Sequence, residues 1–468
     1  MARKLALLLA VLLLLAGWSN PSAAEASAPA SETAAPEEVM PAESAAAEPI
    51  ELEAIVIHGY EWGAAVDAVV LKPNGEVGEY DASTFAVTTY GKARTVTDVF
   101  RCDASGNPAE DGACIALALE ALSSSALPIA SGGITSHSDW VRAYPVTVAL
   151  REGAQLTVDG ISYDTINCVS RDMLDRRVAP EIDGLNKYAY EELNMAAYEP
   201  ETLADDGVKN PLIIWLHGAG EGGEDIDIAL LGNEVSALLR EDVQSRFTSD
   251  GGADGAYMLA AQAPTYWMDS GDGRIHDGGD DSIYREMLMA AIEDYVAWNP
   301  DVDTNRIYIG GCSNGGYMTM NMLIHYGDYF AAAYPICEAY ADAFITDEQI
   351  DSLAARNIWF IQSADDMVVD PDAYGVPTYV RLLEAGADNC WYSMFETVRG
   401  TDIDQSYSGH FSWVYFFNGQ VTAAQDPAAI LAGGAEGFAP TNEGGGTVRP
   451  QGCADIFDWL NAQTLSEP

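Results

Sequence analysis

The chain is long, acidic and rich in hydrophobic residues. It has 468 residues, of which 48% are hydrophobic, and a formal net charge of −50 at pH 7. This length and hydrophobicity are enough for two domains with their own cores, and they exclude a wholly disordered chain. The charge disfavours nucleic acid and anionic membranes as partners, because both repel an acidic surface. Adaptation to high salt and a bias of lineage both explain the charge, and the bias is the simpler interpretation.

The first residues have the pattern of an export signal. A positive start with Arg3 and Lys4 is followed by an apolar stretch over residues 5–16 and by the small residues Ser22-Ala23-Ala24. This order predicts a cleaved signal peptide over residues 1–24, and therefore a secreted protein, extracellular or periplasmic, with no membrane insertion after cleavage. The alternative is an uncleaved anchor, but the stretch is shorter than the roughly 20 residues that a membrane span requires. Residues 25–49 are typical of a disordered acidic linker of Ala, Glu, Pro and Ser.

Short alternating segments follow the linker and indicate an all-β domain over residues 50–175. Turn signals such as Pro73-Asn74-Gly75 separate them, as in a β-sandwich. The predicted strands lie at residues 54–57, 68–71, 84–89, 146–150 and 155–163. Cys102 and Cys114 flank a turn-rich loop and are the favoured disulfide pair, although the sequence does not fix the connectivity of the seven cysteines.

From about residue 176 to residue 468 the pattern changes to strands that alternate with helices. This alternation predicts a mainly parallel sheet with helices on both faces. The predicted strands lie at residues 212–216, 256–261, 306–309, 332–336, 358–362 and 391–395, and the predicted helices include residues 284–295, 317–326 and 455–463.

The segment Gly311-Cys312-Ser313-Asn314-Gly315 matches G-x-S-x-G between a predicted strand and a predicted helix. This is the context of a nucleophile elbow, in which the tight turn requires glycine on both sides of the serine. The alternative is an ordinary glycine-rich turn. The context favours Ser313 as the nucleophile of a serine hydrolase.

A serine nucleophile requires a base and an acid that orients it. His410 is the histidine that follows every plausible acid after Ser313, as the order Ser, acid, His of this fold requires. Asp366 begins an Asp-x-Val-Val pattern in the loop after the strand at residues 358–362, and we expect it to be the acid. Asp365 and Asp370 are its rivals in the same loop.

The oxyanion of the tetrahedral intermediate requires two fixed N–H donors. We expect one from the backbone of Asn314, the residue after the nucleophile. The other is expected from the backbone of Ala219, with Gly220 as its rival, because a loop of small residues follows the strand at residues 212–216. His217 is expected to support this loop.

These motifs resemble those of bacterial α/β-hydrolase esterases with an N-terminal immunoglobulin-like (Ig-like) domain, which are related to polyhydroxybutyrate-depolymerase-like and prolyl-oligopeptidase-like hydrolases. The resemblance covers residues 50–468. It implies an α/β-hydrolase fold after the Ig-like sandwich, carboxylesterase activity, a Ser-Asp-His triad, no metal and no cofactor. The motifs that carry it are Leu216-His217-Gly218-Ala219-Gly220-Glu221, the elbow with Gly316-Tyr317, Asp366-Met367-Val368-Val369, Gly409-His410-Phe411-Ser412-Trp413 and, in the N-terminal domain, Gly59-Tyr60-Glu61-Trp62-Gly63. The glycine-rich residues 433–446 depart from the pattern and are expected to form a loose loop.

The substrate is less well determined than the chemistry. Trp267, Trp413 and Glu338 are candidates for the substrate pocket, although packing alone explains each of them. The acidic residues around Trp267 disfavour anionic substrates and favour a neutral ester, either small or linked to polysaccharide, with a short acyl, acetyl or feruloyl group. We expect residues 50–175 to supply no chemical group, and the sequence leaves a homo-oligomer open.

Two alternatives to an esterase remain. One is a serine peptidase of prolyl-oligopeptidase-like type, although the blade repeats of its usual propeller are absent. The other is a surface binding or adhesion protein with an inert hydrolase domain, against which the complete set of triad residues argues.

Overall fold

The computed structural model describes residues 48–131, 138–200, 207–248, 255–276, 279 and 281–465. The predicted signal peptide and nearly all of the predicted linker lie outside these residues. No helix within the described ranges has both the length and the hydrophobicity of a membrane span.

The described residues from 48 to 178 form thirteen strands. These strands are β1 (Ile50–Tyr60), β2 (Gly63–Pro73), β3 (Phe85–Thr89), β4 (Lys92–Arg94), β5 (Val96–Cys102), β6 (Cys114–Leu119), β7 (Ile129–Ser131), β8 (Ser138–Trp140), β9 (Val146–Leu150), β10 (Leu156–Val158), β11 (Ile161–Tyr163), β12 (Cys168–Ser170) and β13 (Arg177–Val178).

These strands build the predicted Ig-like sandwich. One sheet has the order β13-β1-β2-β6-β5 and the other β12-β9-β3-β4. Inward-facing residues of both sheets, among them Ile57, Val69, Phe85 and Val148, belong to one buried core, which explains the alternation of apolar and polar residues in the sequence. Cys102 and Cys114 lie opposite each other on β5 and β6, and both are free thiols in the structure.

The strands between residues 186 and 395 form one eight-stranded sheet in the order β14-β15-β17-β16-β18-β19-β20-β21. Its first two neighbouring pairs are antiparallel and all later pairs are parallel. Its strands are β14 (Asn186–Tyr190), β15 (Leu193–Tyr198), β16 (Asn210–Leu216), β17 (Tyr257–Gln262), β18 (Val302–Cys312), β19 (Ala332–Ile336), β20 (Ile358–Ser363) and β21 (Cys390–Phe395).

Helices cover both faces of this sheet, which gives the predicted α/β-hydrolase architecture. The central strands are buried on both faces and therefore read as continuous apolar runs. The helices of the described residues are α1 (Ile226–Leu231), α2 (Glu241–Gln244), α3 (Arg285–Trp298), α4 (Asn314–Tyr326), α5 (Asp347–Leu353), α6 (Gly375–Glu384), α7 (Trp413–Phe417), α8 (Pro427–Gly433) and α9 (Ile456–Asn461).

Ion pairs join the two domains next to their boundary. Strand β13 pairs with β1, so the N-terminal sheet still gains a strand at residues 177–178, and the catalytic sheet begins with β14. From β13, Arg177 contacts the carboxylates of Asp225 and Asp227 in the catalytic domain at 2.8 and 3.1 Å. Within the catalytic domain, Lys187 contacts Asp227 at 2.7 Å.

Two segments differ from the sequence-based expectation. The strand predicted at residues 155–163 is a hairpin of β10 and β11, because Asp159 and Gly160 both have positive φ and form its tight turn. The expected loose loop at residues 433–446 is packed: Phe438 contacts the rings of Tyr379 and Tyr392, and Met394 on β21 donates a hydrogen bond to the Gly445 carbonyl.

Candidate active site

Ser313 lies in the sharp turn between β18 and α4. Its φ of 55° and ψ of −111° are a strained backbone conformation for a residue with a side chain. A Cβ atom on Gly311 or Gly315 would approach the Leu216 carbonyl oxygen to 2.2 or 2.0 Å, so both positions require glycine. The elbow predicted from the sequence therefore presents Ser313 at the carboxyl end of the sheet.

His410 and Asp366 form a buried pair. Nδ1 of His410 lies 2.9 Å from Oδ2 of Asp366, and Oδ1 of Asp366 accepts hydrogen bonds from the backbone N–H groups of Val368 and Val369. The carboxylate can only accept, so the neutral imidazole carries its proton on Nδ1 and leaves Nε2 free to act as a base.

The two rival acids do not contact His410. Asp365 is exposed and accepts a hydrogen bond from the Ser363 hydroxyl, and Asp370 is exposed and caps the backbone of Asp372.

Two opposing effects determine the pKa of His410. Burial lowers the pKa of the imidazole, since the charged form loses water, but the adjacent Asp366 carboxylate and Cys337 side chain together raise it by more. The pKa of His410 therefore lies well above the usual 6.5.

Cys337 is a third side chain at this pair. It follows β19 with a φ of 36°, it is fully buried, and the ligating atoms of Cys337, Asp366 and His410 lie within 4.8 Å of one another. Burial raises the pKa of its thiol to about 11, so Cys337 is neutral at neutral pH. Thiolate, imidazole and carboxylate are ligands that suit zinc, but here two of the three groups already bond to each other.

The loop after β16 is held by His217. The Ala263 N–H donates to Nε2 of His217 at 3.0 Å, so the proton of the ring is on Nδ1, which lies 2.6 Å from the Gly218 carbonyl oxygen. Burial lowers the pKa of His217 to about 4, so the ring is neutral. This support places Ala219 and Gly220 beside Ser313 in one cleft.

Glu221 ends this loop and was not predicted as a site residue. Its carboxyl group lies beneath Gly218 and near Asn233, and burial raises its pKa to about 7. One oxygen of this carboxyl, Oε2, is buried without a hydrogen-bond partner among the described residues. Sequence inspection offered no signal beyond its place in the Gly-rich segment.

The cleft at Ser313 has an empty volume of about 1,030 Å³, including its open mouth. Trp413 is among its lining residues, as predicted. The structure places two other predicted pocket residues elsewhere: Trp267 is fully buried against His217 and Tyr284, and Glu338 is buried beside Gly316. The lining residues are Glu61, Trp62, Ile129, Ser138, Gly218, Ala219, Gly220, Glu221, Gly232, Asn233, Tyr266, Ile275, Cys312, Ser313, Val368, His410, Phe411 and Trp413.

Four of these lining residues come from the N-terminal domain, and two of them, Glu61 and Trp62, form the turn between β1 and β2. The carboxylate of Glu61 accepts hydrogen bonds from the backbone and hydroxyl of Thr401 at 2.7 and 2.8 Å and from the Tyr407 hydroxyl at 2.9 Å. The turn is thus tied to the loop that leads into His410.

Known proteins share both halves of this architecture. Residues 54–161 match the family described as esterase Ig-like N-terminal domain, and residues 285–358 match the prolyl oligopeptidase family. No curated protein matches the chain.

A solved structure of a thermostable esterase shares the fold. It is 20% identical, with 80% of this chain and 96% of that chain covered and a TM-score of 0.63. An acylaminoacyl peptidase from Pyrococcus horikoshii is 16% identical, with 62% and 50% covered and a TM-score of 0.34. A ferulic acid esterase is 15% identical, with 54% and 96% covered and a TM-score of 0.36. The chain is thus similar to esterases with an Ig-like N-terminal domain over residues 54–161 and to the prolyl oligopeptidase family over residues 285–358.

Proposed function

We propose that the protein is a secreted carboxylesterase that works through Ser313, His410 and Asp366. The observation that carries this proposal is the buried His410–Asp366 pair, whose histidine lines one cleft together with a serine in a strained elbow. The predicted export signal supports secretion. The small or polysaccharide-linked ester would carry a short acyl, acetyl or feruloyl group.

The proposed reaction has two halves. Nε2 of His410 takes the proton of Ser313 while its oxygen attacks the ester carbonyl, and the imidazolium then protonates the leaving alcohol. A water molecule, deprotonated by the same nitrogen, hydrolyses the acyl-enzyme. The backbone N–H groups of Ala219 and Asn314 would stabilise the oxyanion in both halves.

The lining of the cleft favours an ester over a charged substrate. Glu61 and Glu221 are the carboxyl groups on its walls, no lysine or arginine is among its lining residues in the described part of the chain, and most other lining side chains are apolar or aromatic. An anionic substrate would therefore enter without a counter-charge.

The Ser313→Ala variant tests the proposal. Removal of a triad nucleophile lowers turnover by several orders of magnitude, so we expect the variant to lose nearly all activity on p-nitrophenyl acetate and all labelling by a fluorophosphonate probe. Ser270→Ala, on an exposed loop, is the control and keeps both. Turnover of the purified Ser313→Ala enzyme near that of the wild type would refute the site.

A peptidase is the second candidate, because residues 285–358 match the prolyl oligopeptidase family. The same triad cleaves both bond types, so the test compares p-nitrophenyl acetate with an acylated peptide anilide in one preparation. Faster turnover of the anilide would replace the esterase with a peptidase and leave the triad unchanged.

A further inference from the structure

The turn between β1 and β2, formed by Glu61 and Trp62, lines the cleft and is held there by hydrogen bonds from the catalytic domain. A Cβ atom on Gly400 would lie 2.6 Å from Oε1 of Glu61, and Glu61 itself is 2% exposed. The N-terminal domain therefore presents Trp62 to the cleft from a fixed position.

The walls around this position are aromatic. Tyr266, Phe411 and Trp413 line the same cleft as Trp62, and Phe411 contacts Trp413 with ring centroids 4.6 Å apart. Flat aromatic surfaces on several sides favour a flat, apolar group over a bare acetyl group.

Two indole N–H groups in these walls have no hydrogen-bond partner among the described residues. They belong to Trp62 and Trp413, which are 7% and 6% exposed. A buried donor without a partner destabilises the free protein, so such groups in a binding cleft are suited to a ligand acceptor.

We propose that Trp62 is a specificity-determining residue and that it selects esters of aromatic acids with oxygen substituents on the ring, such as hydroxycinnamoyl esters. The ring stacks between the aromatic walls, and a ring oxygen accepts the hydrogen bond of the Trp62 indole. This inference rests on the proposed esterase function and narrows its acyl group.

The test compares two substrates in the wild type and in a variant of Trp62. Methyl ferulate differs from methyl cinnamate only by a hydroxyl and a methoxy group on the aromatic ring. Trp62→Phe removes the indole N–H while it keeps an aromatic side chain. We expect the wild type to prefer ferulate about 3- to 10-fold in kcat/KM, the gain of one hydrogen bond, and Trp62→Phe to lose most of that preference. Trp140→Phe is the matched control, since Trp140 is a buried tryptophan of the same domain outside the lining of the cleft, and it keeps the preference.

Further measurements distinguish a failure of this inference from a failure of the proposed esterase function. Should Trp62→Phe not fold, inhibition of wild-type p-nitrophenyl acetate turnover by the two methyl esters reports the same preference, and equal inhibition constants overturn the inference. An equal ferulate preference in the wild type and a folded Trp62→Phe also overturns it. An enzyme inactive on every ester refutes the proposed function itself, whereas activity on p-nitrophenyl acetate without ferulate preference refutes only this inference.

Discussion

Two buried carboxylates, those of Asp366 and Glu61, bond to the region of His410, and they are specified by the sequence in different ways. Asp366 bonds the imidazole and two N–H groups two and three residues further along its own loop. Glu61 bonds Thr401 and Tyr407, which are 340 and 346 residues away. The first carboxylate is part of a local pattern, while the second exists only once the two domains are packed together.

This difference explains what the sequence could predict. The elbow, the Asp-x-Val-Val loop and the Gly-rich loop are short segments in which backbone geometry dictates the residues, so their functional groups could be found by inspection. Alternation likewise indicated strands of the sandwich at residues 54–57, 68–71, 84–89 and 146–150, but it did not indicate β5 or β6, and the Asp159-Gly160 turn divides the strand predicted at residues 155–163.

The roles of Glu61, Glu221 and Cys337 depend on contacts between segments far apart in the chain, and no spacing encodes them. The same limit applies to Trp267 and Glu338. Both side chains are buried outside the lining of the cleft, Trp267 against His217 and Glu338 beside Gly316. The domain boundary shows a further case, since residues 177–178 continue the N-terminal sheet by pairing with β1, a partner over a hundred residues earlier.

The largest expected effect is the loss of activity in Asp366→Asn compared with Asp365→Asn. Asp366→Asn removes the charge that stabilises the imidazolium and is expected to lower kcat by about 10⁴-fold, while Asp365→Asn, at an exposed position, is the control with a small effect. The Asp366 carboxylate, together with Cys337, holds the pKa of His410 well above 6.5, and a base must be unprotonated. The rise of kcat/KM with pH should therefore lie above pH 6.5 in the wild type and move to lower pH in Asp366→Asn. Greater damage from Asp365→Asn would shift the acid by one residue.

Glu338 extends the comparison of buried carboxyl groups, because it accepts a hydrogen bond from one donor, the Tyr340 N–H. Only the Tyr340 N–H is bonded to it, one oxygen has no partner among the described residues, and burial raises its pKa to about 8. The folded state keeps this proton between pH 4.5 and about 8 while the unfolded chain releases it. The free energy of unfolding should therefore fall across that window, by an amount on the order of 4 kcal/mol from this group.

Thermal unfolding at pH 5.5 and pH 8.5 measures this effect. Glu338→Gln cannot titrate, so the difference in Tm between the two pH values should shrink in this variant. Glu348→Gln, exposed on α5, should leave the difference as in the wild type. The same pH dependence in Glu338→Gln and the wild type would assign the loss of stability to other acidic groups.

The smallest expected effect concerns Glu61. Glu61→Gln replaces one acceptor oxygen with an amide that faces the donors of Thr401 or Tyr407, so the turn loses part of its attachment to the loop before His410. Since a shift of the base by a fraction of an ångström weakens proton transfer, we expect kcat for p-nitrophenyl acetate to fall about tenfold with little change in KM.

Glu181→Gln is the matched control, because Glu181 accepts from Gly59 on the same hairpin but is exposed. The labelling rate of Ser313 by a fluorophosphonate should fall in parallel with kcat in Glu61→Gln and stay constant in Glu181→Gln. A Glu61→Gln enzyme with a lower Tm but unchanged kcat and labelling would show that the N-terminal domain only stabilises the fold, and that Asp366 alone holds His410 for catalysis.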